Sequence, residues 1–150
     1  MRDRDIIDTS ELLTFAEHLA IAPDRAKKAK KKLLREQGTK LRRKTAQKAR
    51  VEVRKTAVDR SPKYTREKGQ FHKSIKRGKP HDKQGCERIR VFSNDPVGHL
   101  IEDGYTPKLR DGSRGTHQAG KKVFEDTRID FEDQFNDAVE DMVDDLVHGI

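Results

Sequence analysis

The chain has 150 residues, 31% hydrophobic and 40% charged, with no Trp, two Tyr and a single cysteine, Cys86. An ordinary domain is roughly 45–50% apolar and about 25% charged, so the core is thin for the length, and either part of the chain stays outside it or long elements are buried against other copies or partners. This composition excludes an intrachain disulfide and a zinc site with two or more Cys ligands, and it argues against a deep aromatic ligand pocket.

The formal net charge of +8 is strongly partitioned: residues 24–60 carry 16 Lys/Arg against 4 Asp/Glu, and residues 125–150 carry 10 Asp/Glu against Arg128 alone. A basic end and an acidic end imply self-association by opposite charge or two different partners. The first residues lack the apolar h-region of a signal peptide. No apolar run approaches the ~18 residues that span a bilayer. The expectation is a soluble protein made in the cytoplasm, with no membrane partner and no cofactor.

In chain order, "DTSELLTFAEHLAIAP" reads as a short helix capped by Thr9 or Ser10, with Leu12, Leu13, Phe15, Ala16 and Leu19 as its apolar stripe. Pro23 and Asp24 then start a basic helix running to about Asp59 or Arg60, either continuous or broken near Gly38. Its apolar face (Ala26, Ala29, Leu33, Leu41, Ala49, Val53) is narrow and alanine-rich, and so needs a sheet or a neighbour behind it. Ser61-Pro62 is read as the stop. "QFHKSI" (70–75) and "CERIRVFSN" (86–94) alternate as two strands of an antiparallel β-hairpin around a basic loop at 76–85. "VGHLIEDG" (97–104) is a short helical turn or strand end closed by Gly104, and residues 105–120 form an extended exposed loop. The last helix, 124–148, carries Phe131, Phe135 and Met142 inward and its acids outward. The predicted fold class is α+β in a single domain over 1–150: an N-terminal arm (1–23), a long basic helix (24–60), a small antiparallel sheet with loops (61–123) and an amphipathic acidic helix (124–148).

The chemical motifs fail one by one. His72, His81, Cys86, His99 and His117 lack metal-ligand spacing, Cys86 lies in no nucleophile motif, and "RGKP" and "DGSRG" fit neither phosphate-loop pattern. The sequence is read as non-catalytic. Nucleic acid is the generic rival: Lys30, Lys31, Arg35, Arg42 and Arg43 form a candidate DNA-facing surface. Residues 24–59 hold no Phe, Tyr or Trp for stacking and only Gln37 and Gln47 as amides for base reading. Arg42, Arg43, Lys44, Lys76, Arg77, Lys79, Glu102, Asp103, Arg110, Arg114, Asp141, Asp144 and Asp145 are the candidate inter-subunit or partner contacts.

The order of short motifs then becomes informative. A basic helix is followed by Ser61-Pro62, a G-x-F-x-x-S-I segment at Gly69, Phe71, Ser74 and Ile75, "HLIEDG" at 99–104, a polar glycine loop, and "AGKKVFEDT" leading into the last helix. Across roughly residues 25–148 this arrangement resembles the tail-component family of tailed bacteriophages, the neck, tail-completion and head–tail joining proteins. The sequence departs from the family's usual pattern at Phe71 (commonly Leu), at Tyr105 after Gly104, in the longer 62–69 linker and in "KKVF", which lacks a proline. The resemblance implies a structural, non-catalytic α+β subunit, a homo-oligomeric ring commonly of six copies, and neighbouring connector and tail-tube proteins as partners. It also implies a place in the virion at the head–tail interface, around the DNA channel, after assembly in the host cytoplasm. A basic nucleic-acid-binding accessory protein is the alternative.

Overall fold

A computed structural model describes residues 23–148 of the chain; the short helix expected around residues 10–19 lies outside them. The element order is α1 (Pro23–Glu52), β1 (Val58–Arg60), β2 (Tyr64–Arg66), α2 (Gln70–Ser74), β3 (Ile75–Arg77), β4 (His81–Lys83), β5 (Cys86–Arg88), β6 (Val91–Ser93), α3 (Gly98–Asp103), β7 (Gly104–Tyr105), β8 (Gln118–Ala119) and α4 (Val123–His148). The fold class is α+β: a long N-terminal helix, small antiparallel β-hairpins and a long C-terminal helix.

Helix α1 runs unbroken through Gly38. A glycine inside a helix costs about 1 kcal/mol relative to alanine, but a Cβ here would stand 2.8 Å from Ile89 Cδ1 and 3.3 Å from Arg77 Cδ. The missing side chain is the space into which the β-ribbon packs. The helix stops at Glu52, several residues short of the expected end and well before Ser61-Pro62. Val51, Val53 and Thr56 are β-branched and hold a helix poorly. The His72 ring then closes the end, its Nε2 lying 3.0 Å from the carbonyl oxygens of both Ala49 and Val53. Ser61-Pro62, a cis peptide, is instead the turn of the β1–β2 hairpin.

The stretch expected as a strand at 70–75 is one turn of helix followed by β3. Gly69, at φ 73°, redirects the chain, and a single helical turn brings Phe71, Ser74 and Ile75 to one face, as i, i+3 and i+4 positions do. The expected strand 86–94 is divided at Ile89–Arg90. Its halves pair with different partners, β5 with β4 and β6 with β3, and the Gly78 N–H bonds the Arg90 carbonyl at 2.8 Å between them. The result is one long hairpin. Its tip is Gln84-Gly85, both residues at positive φ, the backbone that a two-residue hairpin turn demands. Lys76 and Arg77 belong to β3, not to the tip loop.

Residues 105–120 are not an irregular loop. They form a hairpin arm: Gly104 pairs with Ala119, Tyr105 with Gln118, and Lys108 bridges to Arg114.

The central core is small. Ala49, Phe71, Ile75 and Val123 are buried, and Val53, Val91, Ile101 and Phe124 pack around them. Phe71 meets Phe124 edge to face with ring centroids 6.3 Å apart, a favourable aromatic geometry. Beyond the core, α1 and α4 pack antiparallel, with Lys48 beside Asp126 and Lys44 beside Gln134 at one end and Ala29 and Leu33 near Met142 and Leu146 at the other.

Candidate functional site

The residues singled out by the motif order form the joint that holds the chain together. Ser74 Oγ lies 2.6 Å from the Phe71 carbonyl, to which it donates, and 2.5 Å from Ser93 Oγ, which ties α2 to the end of β6. Phe71 and Ile75 are 2% and 3% exposed and fill the core. In "HLIEDG", Ile101 packs on that core. The Glu102 carboxylate turns to the start of α4 and accepts the N–H groups of Phe124 and Glu125, at 3.0 and 2.9 Å from Oε1. The first N–H groups of a helix have no partner within the helix, and an acid suits the positive end of its dipole. Gly104, at φ 86°, reverses the chain where a Cβ would stand 2.4 Å from the Gln118 carbonyl.

A second joint was not legible in the sequence. The Arg66 guanidinium makes a two-pronged pair with the Asp95 carboxylate, with Nη1 to Oδ1 at 2.8 Å. The Asp95 side chain is fully buried and that of Arg66 is 10% exposed. Hydrogen bonding from Arg66 first, then from the Val97 N–H, holds the Asp95 carboxyl below its ordinary value against the opposing effect of burial. The pair locks the β1–β2 hairpin onto the turn before α3. The only sequence signal was the Asn-Asp-Pro step at 94–96.

The charged candidates separate into two groups. Several are engaged within the chain. Lys44 Nζ donates to Gln134 Oε1 at 2.7 Å and lies 5.4 Å from the Phe131 ring centroid. Arg77 donates to the Arg35 carbonyl at 3.1 Å, and Asp103 pairs with Lys122 at 3.4 Å. Lys122 also meets Glu125 at 3.2 Å, and Glu125 is the main cause of its raised pKa. The sequence left open whether the acidic helix covers its own chain's basic helix or a neighbour's. The structure packs them within one chain, with Lys48 bonded to Asp126 at 3.3 Å. The others point to solvent. Lys30, Arg35 and Arg43 on α1 are exposed and Lys31 and Arg42 half-buried; Lys76 and Lys79 on the ribbon, Arg110 and Arg114 on the arm, and Asp141, Asp144 and Asp145 on α4 are exposed.

Among the described residues no group of three or more His, Cys, Asp or Glu side chains is placed to hold a metal ion, and no helix is long and apolar enough to cross a membrane. Cys86 is free and exposed beside the ribbon tip. Two grooves remain. One, of about 460 Å³, opens between the β1–β2 hairpin and α3 and is lined by Val58, Tyr64, Phe71, Leu100 and Tyr105. The other, of about 520 Å³, lies between α1, β5 and α4 and is lined by Leu34, Leu41, Ile89, Phe131 and Phe135.

A long helix closed by a capped core knot, bearing two-stranded hairpins and a charged exterior, makes this a small α+β protein. Residues 15–104 match the family described as "Bacteriophage HK97-gp10, putative tail-component". The match spans more than half of the chain, and the chain belongs to this HK97-gp10-like family of tailed-phage tail components. That family places it among structural proteins of the virion. No curated protein and no solved structure matches it.

Proposed function

We propose that this chain is a non-catalytic subunit of the head–tail connector, a neck or tail-completion ring that joins head and tail around the DNA channel. Membership of the tail-component family is the observation that carries this reading. The architecture is consistent with it. Isolated two-stranded hairpins are marginal in water, and among the described residues the four antiparallel pairs make three two-stranded ribbons: β1–β2, the long β3–β6 hairpin and the 104–119 arm. Such elements gain most when neighbouring copies or partner rings cover them. In this reading the chain assembles as a homo-oligomer, six copies being the working number, with connector and tail-tube proteins above and below. The exposed arm and ribbon reach toward those partners, and packaged DNA meets the α1 flank through non-specific phosphate contacts.

Imaging intact particles of the source phage or prophage is the direct test. A ring of this chain between head and tail is the expected result; its absence from particles overturns the reading.

A second reading rests on the α1 flank. Lys30, Arg35 and Arg43 project to solvent from one helix, which suits a basic accessory protein that tracks nucleic-acid phosphates. It requires duplex-DNA binding that falls steeply with salt and weakens when Arg42, Arg43 and Lys44 are neutralised. Binding that vanishes by physiological salt removes it.

A further inference from the structure

We infer that the outer face of the β3–β6 ribbon lies along the acidic outer face of helix α4 of a second copy of this chain. This names the contact between neighbouring subunits and rests on the ring reading above.

The ribbon has two faces of opposite character. Residues directly paired in an antiparallel ribbon share a face, as do alternate residues along one strand. Ile89 and Val91 turn together to the body of the chain, where Ile89 meets α1 at Gly38 and Val91 packs on the core. Arg88 and Arg90 turn the other way with Phe92, and the Arg90 guanidinium carbon stands 5.6 Å from the Phe92 ring centroid. Lys76, His81 and Lys83 join this outer face as the register partners of Phe92, Arg88 and Cys86. All five of these basic side chains are exposed. The ribbon's two acids, Asp82 and Glu87, are partners of each other on the inner face. At the ribbon's base, Asp103 and Glu125 are taken up by Lys122. Among the described residues, Lys76, Lys83, Arg88 and Arg90 therefore make no ion pair.

The complement to this face is on the same chain. Asp130, Asp133, Asp137, Glu140 and Asp144 follow the three/four spacing that puts them on one side of α4. All five are exposed, and among the described residues none makes an ion pair. Arg128, the one Lys or Arg of this helix, lies on the groove toward α1 instead. The two faces also agree in length. From Asp130 to Asp144 the helix rises about 21 Å, and from Phe92 to Cys86 the ribbon runs about 20 Å. Each is a single row of one sign, and within one chain the two do not meet. The DNA major groove also admits a two-stranded ribbon, but that leaves the acid row without a cationic neighbour, whereas a second copy supplies both. Exposed ion pairs are individually weak, and their use here is to set orientation and register. Ribbon and helix are different surfaces, so the contact is heterologous and propagates into a ring when its rotation closes.

The native cysteine makes the test direct, because Cys86 stands exposed on this outer face at the ribbon tip. Asp130→Cys and Asp144→Cys, at the two ends of the acid row, are each made in the otherwise unaltered chain and oxidised in assembled particles. One of the two is expected to give a ladder of disulfide-linked multimers that is lost on adding Cys86→Ser, and which one gives it reads the direction of the ribbon. A ring present at the joint with no ladder from either variant overturns this inference and leaves the ring reading standing. A disulfide within the monomer band also overturns it, because the tip would then meet its own α4. Absence of the chain from particles overturns the ring reading and this inference together. As an independent check, charges are reversed at exposed positions in two pairs, Lys76→Glu with Arg88→Glu and Asp137→Lys with Glu140→Lys. Each pair is expected to lower incorporation into particles about tenfold or more, with thermal unfolding of the purified chain unchanged, and the four together are expected to restore most of it. Loss in the ribbon pair that the α4 pair neither shares nor rescues, together with loss of duplex-DNA binding at physiological salt, assigns the face to nucleic acid and overturns the proposal.

Discussion

The Glu102 carboxylate accepts the backbone N–H of Phe124, 3.0 Å from Oε1 and 3.1 Å from Oε2, and so joins the end of α3 to the start of α4. Phe124 in turn sets its ring against Phe71 in the core. A residue that reads in the sequence as a surface acid available to a neighbour is the cap of its own chain's longest acidic helix. Glu102→Ala is expected to destabilise the protein by about 1 kcal/mol, the usual cost of a lost N-terminal cap. Glu102→Gln, which keeps an acceptor but not the charge, should cost about half as much, since the helix dipole favours the anion by only some tenths of a kcal/mol. Urea unfolding of the three proteins checks the order.

Removing one partner of a buried ion pair leaves the other charge uncompensated. Asp95→Ala should therefore cost about 3–5 kcal/mol, whereas breaking an exposed, solvent-screened pair such as Lys122–Asp103 should change stability little. Equilibrium unfolding of Asp95→Ala and Asp103→Ala separates the two.

The same pair sets a pH dependence. Asp95 has its carboxyl lowered in the folded state, chiefly by the Arg66 hydrogen bonds. Its contribution is therefore complete above the ordinary unfolded value of about 3.9 and is lost as pH falls through the lower folded value. Stability measured from pH 6 downward should fall less steeply through this acid range in Asp95→Asn, at a lower starting level, than in the parent chain.

Two glycines at similar φ should respond differently. Gly104 and Gly112 stand at φ 86° and 85°. A Cβ at Gly112 would meet nothing within 4 Å, while one at Gly104 would press on the backbone of residues 118–120. Gly112→Ala should cost about 1–2 kcal/mol, the left-handed strain alone. Gly104→Ala should exceed about 3 kcal/mol, because backbone has to move as well. Thermal unfolding of the two variants tests the ranking.

At Gly38 the obstacle is the end of a side chain, so the direction depends on size. Alanine gains about 1 kcal/mol of helix propensity and asks Ile89 to yield by a few tenths of an ångström. Gly38→Leu fills the space that the ribbon occupies, and overpacking of this kind costs about 1–3 kcal/mol. Gly38→Ala should thus be close to neutral and Gly38→Leu clearly destabilising. The loss should be relieved by Ile89→Ala, as a double-mutant cycle would show.

By itself the sequence determined the two long helices, a central antiparallel hairpin (though with its first strand set at 70–75, which is mostly a helical turn), the partition of charge and, through the order of Gly69, Phe71, Ser74, Ile75 and "HLIEDG", the tail-component family. Those features are local: helical periodicity, turn residues and composition depend on neighbours in the chain. Tertiary structure decided what each of them is for. The alternation of "QFHKSI" suggested a strand, but burial of Phe71, Ser74 and Ile75 on one face requires a helical turn. Nothing near Arg66 announced Asp95, 29 residues away, because an ion pair between loops leaves no periodicity. Glu102 and Lys44 looked like surface charges until packing set them against α4 of the same chain. The acids and bases that remain outside those contacts, with the arm and its exposed Leu109, are what the fold leaves for other molecules.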